Sequence, residues 1–146
     1  MKETNSFLFD TNVIIDALSR RNTGNIYSRD LIRRVTSGEI KGFLVTKQIT
    51  DIYYVLRKYI PDDGERRRIV GILLNTFEIL PLIKGELTYS LNLSFNDYED
   101  AVIYETAKIN CVSCIVTNNI KDFKESQLMV MAPNEVWNLQ NAVKPF

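Results

Sequence analysis

Short apolar runs recur along this chain and are separated by longer segments in which apolar residues fall at helical spacing. The runs lie at residues 7–9, 42–45, 77–80, 115–116 and 128–131. Strands alternating along the chain with helices favour a sheet covered on both faces. Helices between successive strands supply that cover, and the connections then make the sheet parallel. Val13, Ile14 and Leu18 mark a first helix, and Ile26, Leu31, Ile32 and Val35 a second that Gly38 is placed to stop. Thr46 is expected to cap a helix through Ile49, Ile52, Tyr53 and Leu56, which residues 61–64 break. Residues 65–75 read as a helix with Ile69, Leu73 and Leu74 facing inward, and a further helix is expected through Leu87 and Leu91. Asp97 opens a helix through Ala101, Tyr104 and Ala107, and Pro133 begins a last one with Val136 and Trp137. With no internal repeat, low-complexity tract or linker, residues 1–146 read as a single α/β domain with a five-stranded sheet flanked by helices.

Several chemistries are excluded by what the sequence lacks. The chain has no histidine, which removes Ser-His-Asp and Cys-His catalysis and histidine-ligated zinc. Neither a dinucleotide fingerprint nor a phosphate-binding Gly-rich loop occurs among its six glycines. Cys111 and Cys114 have redox or zinc spacing, but no second pair completes a zinc site, and they read as structural. The 18 basic residues balance the 18 acidic ones, so a phosphate partner must be attracted locally or through a metal. Residues 1–5 carry no apolar leader and no run of about 18 apolar residues appears, so a soluble, cytoplasmic protein without membrane contact is expected.

The carboxylates fall where chemistry is expected. Ligands of open α/β sheets bind beyond the carboxyl ends of the strands. Asp10 ends the first strand, Asp51 follows the second, Asp100 lies in the first turn of the helix after Asp97, and Asp122 follows the fourth strand. Carboxylates brought together repel one another unless a cation lies between them. Mg²⁺ or Mn²⁺ suits an all-oxygen site and phosphodiester hydrolysis without histidine. Each position also has a plainer reading: Asp10 as a helix cap, Asp51 as a solvated helix residue, Asp122 as a turn residue. Asp97 and Asp100 form a capping-box-like pair, with Asp97 read as the cap and Asp100 as the ligand. Asn119 either ligates through its amide oxygen or shapes its loop. Lys47, Arg57 and Lys58 flank the helix of Asp51 and are candidate phosphate contacts, whereas the Arg66-Arg67-Arg68 triad reads first as a solvated face.

Three blocks carry a family resemblance. Phe9-Asp10-Thr11-Asn12-Val13-Ile14-Ile15-Asp16 resembles the opening of PIN-domain nucleases. The segment from Asp97 and Asp100 to Ala107 resembles their third motif, and Ile115-Val116-Thr117-Asn118-Asn119-Ile120-Lys121-Asp122-Phe123 their closing motif. The likeness runs in order over nearly the whole chain. It implies a three-layer PIN-like domain and a Mg²⁺- or Mn²⁺-dependent endoribonuclease, similar to the VapC-like toxins of bacterial toxin–antitoxin pairs. It further implies an RNA substrate, a cognate antitoxin and a homodimer, for which Tyr53, Tyr54 and Tyr59 offer surface as well as core. By position, Asp10 and Asp100 would be metal ligands, Asp51 the second acid, and Asn119 or Asp122 the fourth. Asn12 and Asp97 would support them, and Thr117 would fix the geometry around Asp10.

The sequence departs from this pattern twice. The second acid is commonly glutamate, and Asp51 is the only acid between Gly42 and Lys58. Asn119 stands where many members carry an acid, with Asp122 three residues on. The alternative is therefore a non-catalytic RNA- or protein-binding module on the same fold. A phosphoacceptor domain would need an aspartate after the third strand, where Leu80-Pro81-Leu82 stands, and an Asp-x-Asp phosphatase an acid in place of Asn12.

Overall fold

A computed structural model describes residues 5–19 and 26–142; the leader expectation for residues 1–4 lies outside that range. The strands are β1 (Ser6–Phe9), β2 (Lys41–Val45), β3 (Glu78–Leu80), β4 (Cys114–Val116) and β5 (Met129–Met131). The helices are α1 (Thr11–Ser19), α2 (Ile26–Ser37), α3 (Thr46–Leu56), α4 (Asp63–Thr76), α5 (Lys84–Ser90), α6 (Tyr98–Ile109) and α7 (Pro133–Ala142). All pairings are parallel, in the order β3-β2-β1-β4-β5. This is the expected three-layer α/β fold with a five-stranded parallel sheet. The strand order reverses direction between β1 and β4, so a crevice opens beyond the carboxyl ends of those two central strands.

Strand alternation divides the core. Phe7 and Phe9 point to one side, with Val13, Ile52, Leu73 and Val136, while Leu8 points to the other, with Ile103, Tyr104 and Ala107. Both faces are thus packed, which explains why the strands are apolar at consecutive positions. Gly38 ends α2 in the left-handed region at φ 82°, and Glu39 N–H donates to the Arg34 carbonyl at 2.9 Å, the bond of a Schellman cap. No helix among the described residues is long and apolar enough to cross a membrane.

Four expectations about single residues are corrected. Thr46 is the first residue of α3 rather than its cap, and its Oγ1 accepts from Leu82 N–H at 3.3 Å. Leu74 faces outward, 49% exposed, because α4 turns Ile69 and Leu73 to the core. Helix α5 stops at Ser90, which leaves Leu91 beyond its end and 68% exposed. Arg66 is buried rather than solvated: its guanidinium donates to the carbonyls of Ile60 and Pro61 at 2.6 and 2.8 Å and lies 5.1 Å from the Tyr53 ring. Arg67 and Arg68 are exposed and paired within α4, to Asp63 and Glu65.

Candidate functional site

Asp10 is fixed by the junction between sheet and helix. Its N–H donates to the Val116 carbonyl of β4 at 2.8 Å, and its own carbonyl accepts from Val13 N–H at 3.0 Å to start α1. The carboxylate is held at both oxygens: Oδ1 accepts from Thr11 N–H at 2.8 Å and Oδ2 from the Thr117 hydroxyl at 2.9 Å. Thr117 is fully buried just after β4, and its Oγ1 also accepts from Asn119 N–H at 3.0 Å. Gln48, buried in the first turn of α3, binds the other side of the junction. Its Nε2 donates to the Phe9 carbonyl at 2.8 Å and to Thr11 Oγ1 at 3.3 Å, while its Oε1 accepts from Val45 N–H at 2.8 Å. One amide side chain therefore ties together the carboxyl ends of β1 and β2.

The other acids arrive from three elements. Asp97 caps α6 by accepting from Asp100 N–H at 3.2 Å, which presents Asp100 in the first turn. A 3₁₀ turn over Ile120–Phe123 carries Asp122. Asp51 lies on α3 and accepts a hydrogen bond from Lys47, one turn earlier on the same helix. Lys47 Nζ also donates to Glu99 Oε1 of α6 at 2.8 Å. A cavity of about 400 Å³ is bordered by Asp10, Thr11, Asn12, Lys47, Gln48, Asp51, Tyr54, Val55, Asp97, Glu99, Asp100, Ile103 and Asp122.

The charges in this cavity act on one another. Burial, then repulsion from Asp10, Asp97, Asp122 and Glu99, pushes Asp100 up to about 7 from an ordinary 3.8. Asp10 is also raised, chiefly by burial and further by Asp122 and Asp97, against the lowering effect of its bonds from Thr117 and Thr11. Lys47 is raised: burial pulls it down, but its hydrogen bonds to Asp51 and Glu99 outweigh that. An all-oxygen donor set whose negative charge Lys47 offsets only in part has the chemistry to suit Mg²⁺ or Mn²⁺. The carboxylates are not drawn into a closed shell; among the described residues no three of them form a ready-made metal cluster. A cation here would keep several water ligands, as Mg²⁺ commonly does.

Of the residues singled out in the sequence, Asp10, Asn12, Lys47, Asp51, Asp97, Asp100 and Asp122 border this cavity. Thr117 adjoins it through Asp10. Asn119 is exposed at the start of the 3₁₀ turn, where its side chain makes no capping bond, and it does not border the cavity. Arg57 and Lys58 are exposed beyond the end of α3, with the Arg57 guanidinium 5.3 Å from the ring of Tyr54. Sequence reasoning passed over Glu99, Gln48 and Tyr54. Glu99 carried a signal, being a third acid in the turn that holds Asp97 and Asp100. Gln48 carried a weaker one, a polar residue one position before the apolar face begins at Ile49.

Residues 6–121 match the PIN domain family. Among curated protein sequences none matches the chain. Solved structures share the fold. FitAB bound to an IR36 DNA fragment superposes with a TM-score of 0.69 at 18% identity, over 87% of this chain and 94% of that one. A toxin–antitoxin complex from Klebsiella pneumoniae gives 0.66 at 23% identity, over 88% and 98%. The sarcin-ricin loop cleaving toxin VapC20 of Mycobacterium tuberculosis gives 0.57 at 10% identity, over 75% and 87%.

Proposed function

The chain belongs to the PIN-domain family, and from that premise we propose that it is a metal-dependent endoribonuclease and the toxin of a toxin–antitoxin pair. The observation that carries this reading is the meeting of Asp10, Asp51, Asp97, Asp100 and Asp122 around one cavity at the sheet's switch point. Asp10, Asp100 and Asp122 would hold Mg²⁺ or Mn²⁺. When bound, the ion would supply Lewis acidity toward a phosphate oxygen and lower the pKa of a water. The protein's own groups do the rest. Thr117 and the Thr11 N–H keep the Asp10 carboxylate in one orientation, so little rearrangement accompanies binding. Asp51 would orient or deprotonate the attacking water. Lys47, and more peripherally Arg57 and Lys58, would meet the phosphates flanking the scissile bond.

Support for the toxin reading comes from the structural relatives, two of which are toxin–antitoxin complexes or toxins by description. An antitoxin and a second copy of the chain are the partners this reading implies. The test is incubation of the purified protein with single-stranded and structured RNA in Mg²⁺, Mn²⁺ or EDTA. Cleavage should require the metal and fall at least about a hundredfold in Asp10→Asn, since that change removes a charged ligand. Cleavage that continues in EDTA would eliminate the mechanism. A non-catalytic PIN-like module is the second reading. The lack of a preformed cluster of three acids among the described residues favours it, and absence of calorimetric Mn²⁺ binding would select it.

A further inference from the structure

Among the described residues, six carboxyl groups border the cavity, from Asp10, Asp51, Asp97, Glu99, Asp100 and Asp122, and Lys47 is the one basic side chain with them. Lys47 does not point away from these acids. It donates to Asp51 within α3 and, at 2.8 Å, to Glu99 of α6, and so bridges two elements across the mouth of the cavity. Its side chain is 31% exposed, less than either partner at 42% and 68%. We infer that Lys47 is the cavity's internal counter-cation, which a divalent ion must displace when the site fills.

This rests on the metal-site reading above. A positive charge bonded to Asp51 and Glu99 in the same cavity opposes a doubly charged ion and engages Asp51, one of the acids that would face it. The four-carbon stem and point charge of lysine allow it to leave without unfolding anything. Once released, the ammonium remains at the cavity mouth, where an RNA phosphate would arrive, and Asp51 is freed to take a water. The pair Lys47–Asp51 thus separates a resting arrangement from a loaded one. An ion pair on a surface away from the cavity, screened by solvent, would leave metal affinity nearly indifferent to its loss.

The experiment is calorimetric titration of Mn²⁺ into wild type, Lys47→Met and Lys47→Arg, each checked for native far-UV circular dichroism. Loss of one nearby positive charge should tighten Mn²⁺ binding about tenfold in Lys47→Met. Lys47→Arg, which keeps the charge, should bind within about twofold of wild type. Binding by Lys47→Met alone would also support the inference. If wild type binds Mn²⁺ and Lys47→Met binds no tighter, or if Lys47→Arg tightens equally, the counter-cation role is overturned while the metal-site reading stands. If neither wild type nor Lys47→Met binds, both fall together.

Discussion

Asp100 holds its proton more tightly in the folded chain than in the unfolded one, because burial and the neighbouring Asp10, Asp97 and Asp122 disfavour its charged form. A group raised from 3.8 to about 7 contributes stability that is complete below the lower value and lost as pH rises through the upper one. Asp10 moves in the same direction, with burial as its main cause. In EDTA the protein should therefore melt at a lower temperature at about pH 8 than at about pH 5. Added Mg²⁺ should restore more of that loss at the higher pH, where the carboxylates are charged. Scanning calorimetry at the two pH values checks this, and a melting temperature that rises between them in EDTA would contradict it. At this scale much of the site was legible. Asp10, Asp51 and Asp122 follow strand ends, where the general rule for α/β sheets puts ligands, and Asp100 is legible from the first turn of the helix that Asp97 opens. Glu99 and Gln48 were not, because their partners Lys47, Phe9 and Val45 are chosen by how α3 sits against α6 and the sheet.

Helix α5 shows that periodicity defines a helix without saying which face is covered. The sequence places a helix through Leu87 and Leu91, and Ile83 precedes them at the same spacing. In the structure Ile83, Leu87 and Leu91 are 59%, 37% and 68% exposed, while Glu86 and Ser90 are buried against α6. The buried polar groups are partnered: Glu86 accepts from Ile83 N–H at 3.3 Å and the Ser90 hydroxyl donates to the Ala101 carbonyl at 3.4 Å. Spacing defines a face but does not say what covers it. Two backbone positions at element boundaries yield predictions. A Cβ at Gly42 of β2 would stand 2.8 Å from both the Phe77 ring and Val35 Cγ1. Gly42→Ala should cost about 1–3 kcal/mol in urea denaturation, as other insertions into packed cores do. Cys111 follows α6 in the left-handed region at φ 59°, and Val112 N–H donates to the Ala107 carbonyl at 3.0 Å, completing a Schellman cap with a residue other than glycine. Cys111→Gly removes that strain against a gain in unfolded-chain freedom, and the same measurement should show about 0.5 kcal/mol of added stability.

For the whole molecule, Leu87 and Leu91 at the exposed end of α5 adjoin Tyr98, which is 44% exposed and whose hydroxyl donates to the Leu87 carbonyl at 2.7 Å. We propose this apolar surface as the homodimer contact; of the tyrosines expected to offer one, Tyr59 packs against the core while Tyr54 is 66% exposed. Sedimentation velocity should show wild type associating as its concentration rises, and Leu91→Glu should shift it to the monomer. A variant that sediments as wild type would place the dimer contact elsewhere. The sequence by itself determined the layer architecture, because uniformly apolar strands separated by amphipathic helices bury their surface in few ways. It also pointed to Asp10, Asp51 and Asp122 as neighbours, since a parallel sheet delivers every strand's carboxyl end to one edge, but not to Glu99. The tertiary structure alone decided what those acids do to each other: whether Asp100 keeps its proton, and that Lys47 engages Asp51 and Glu99. Those outcomes depend on ångström-scale distances and local burial between elements far apart in the chain, which no pattern along the sequence encodes.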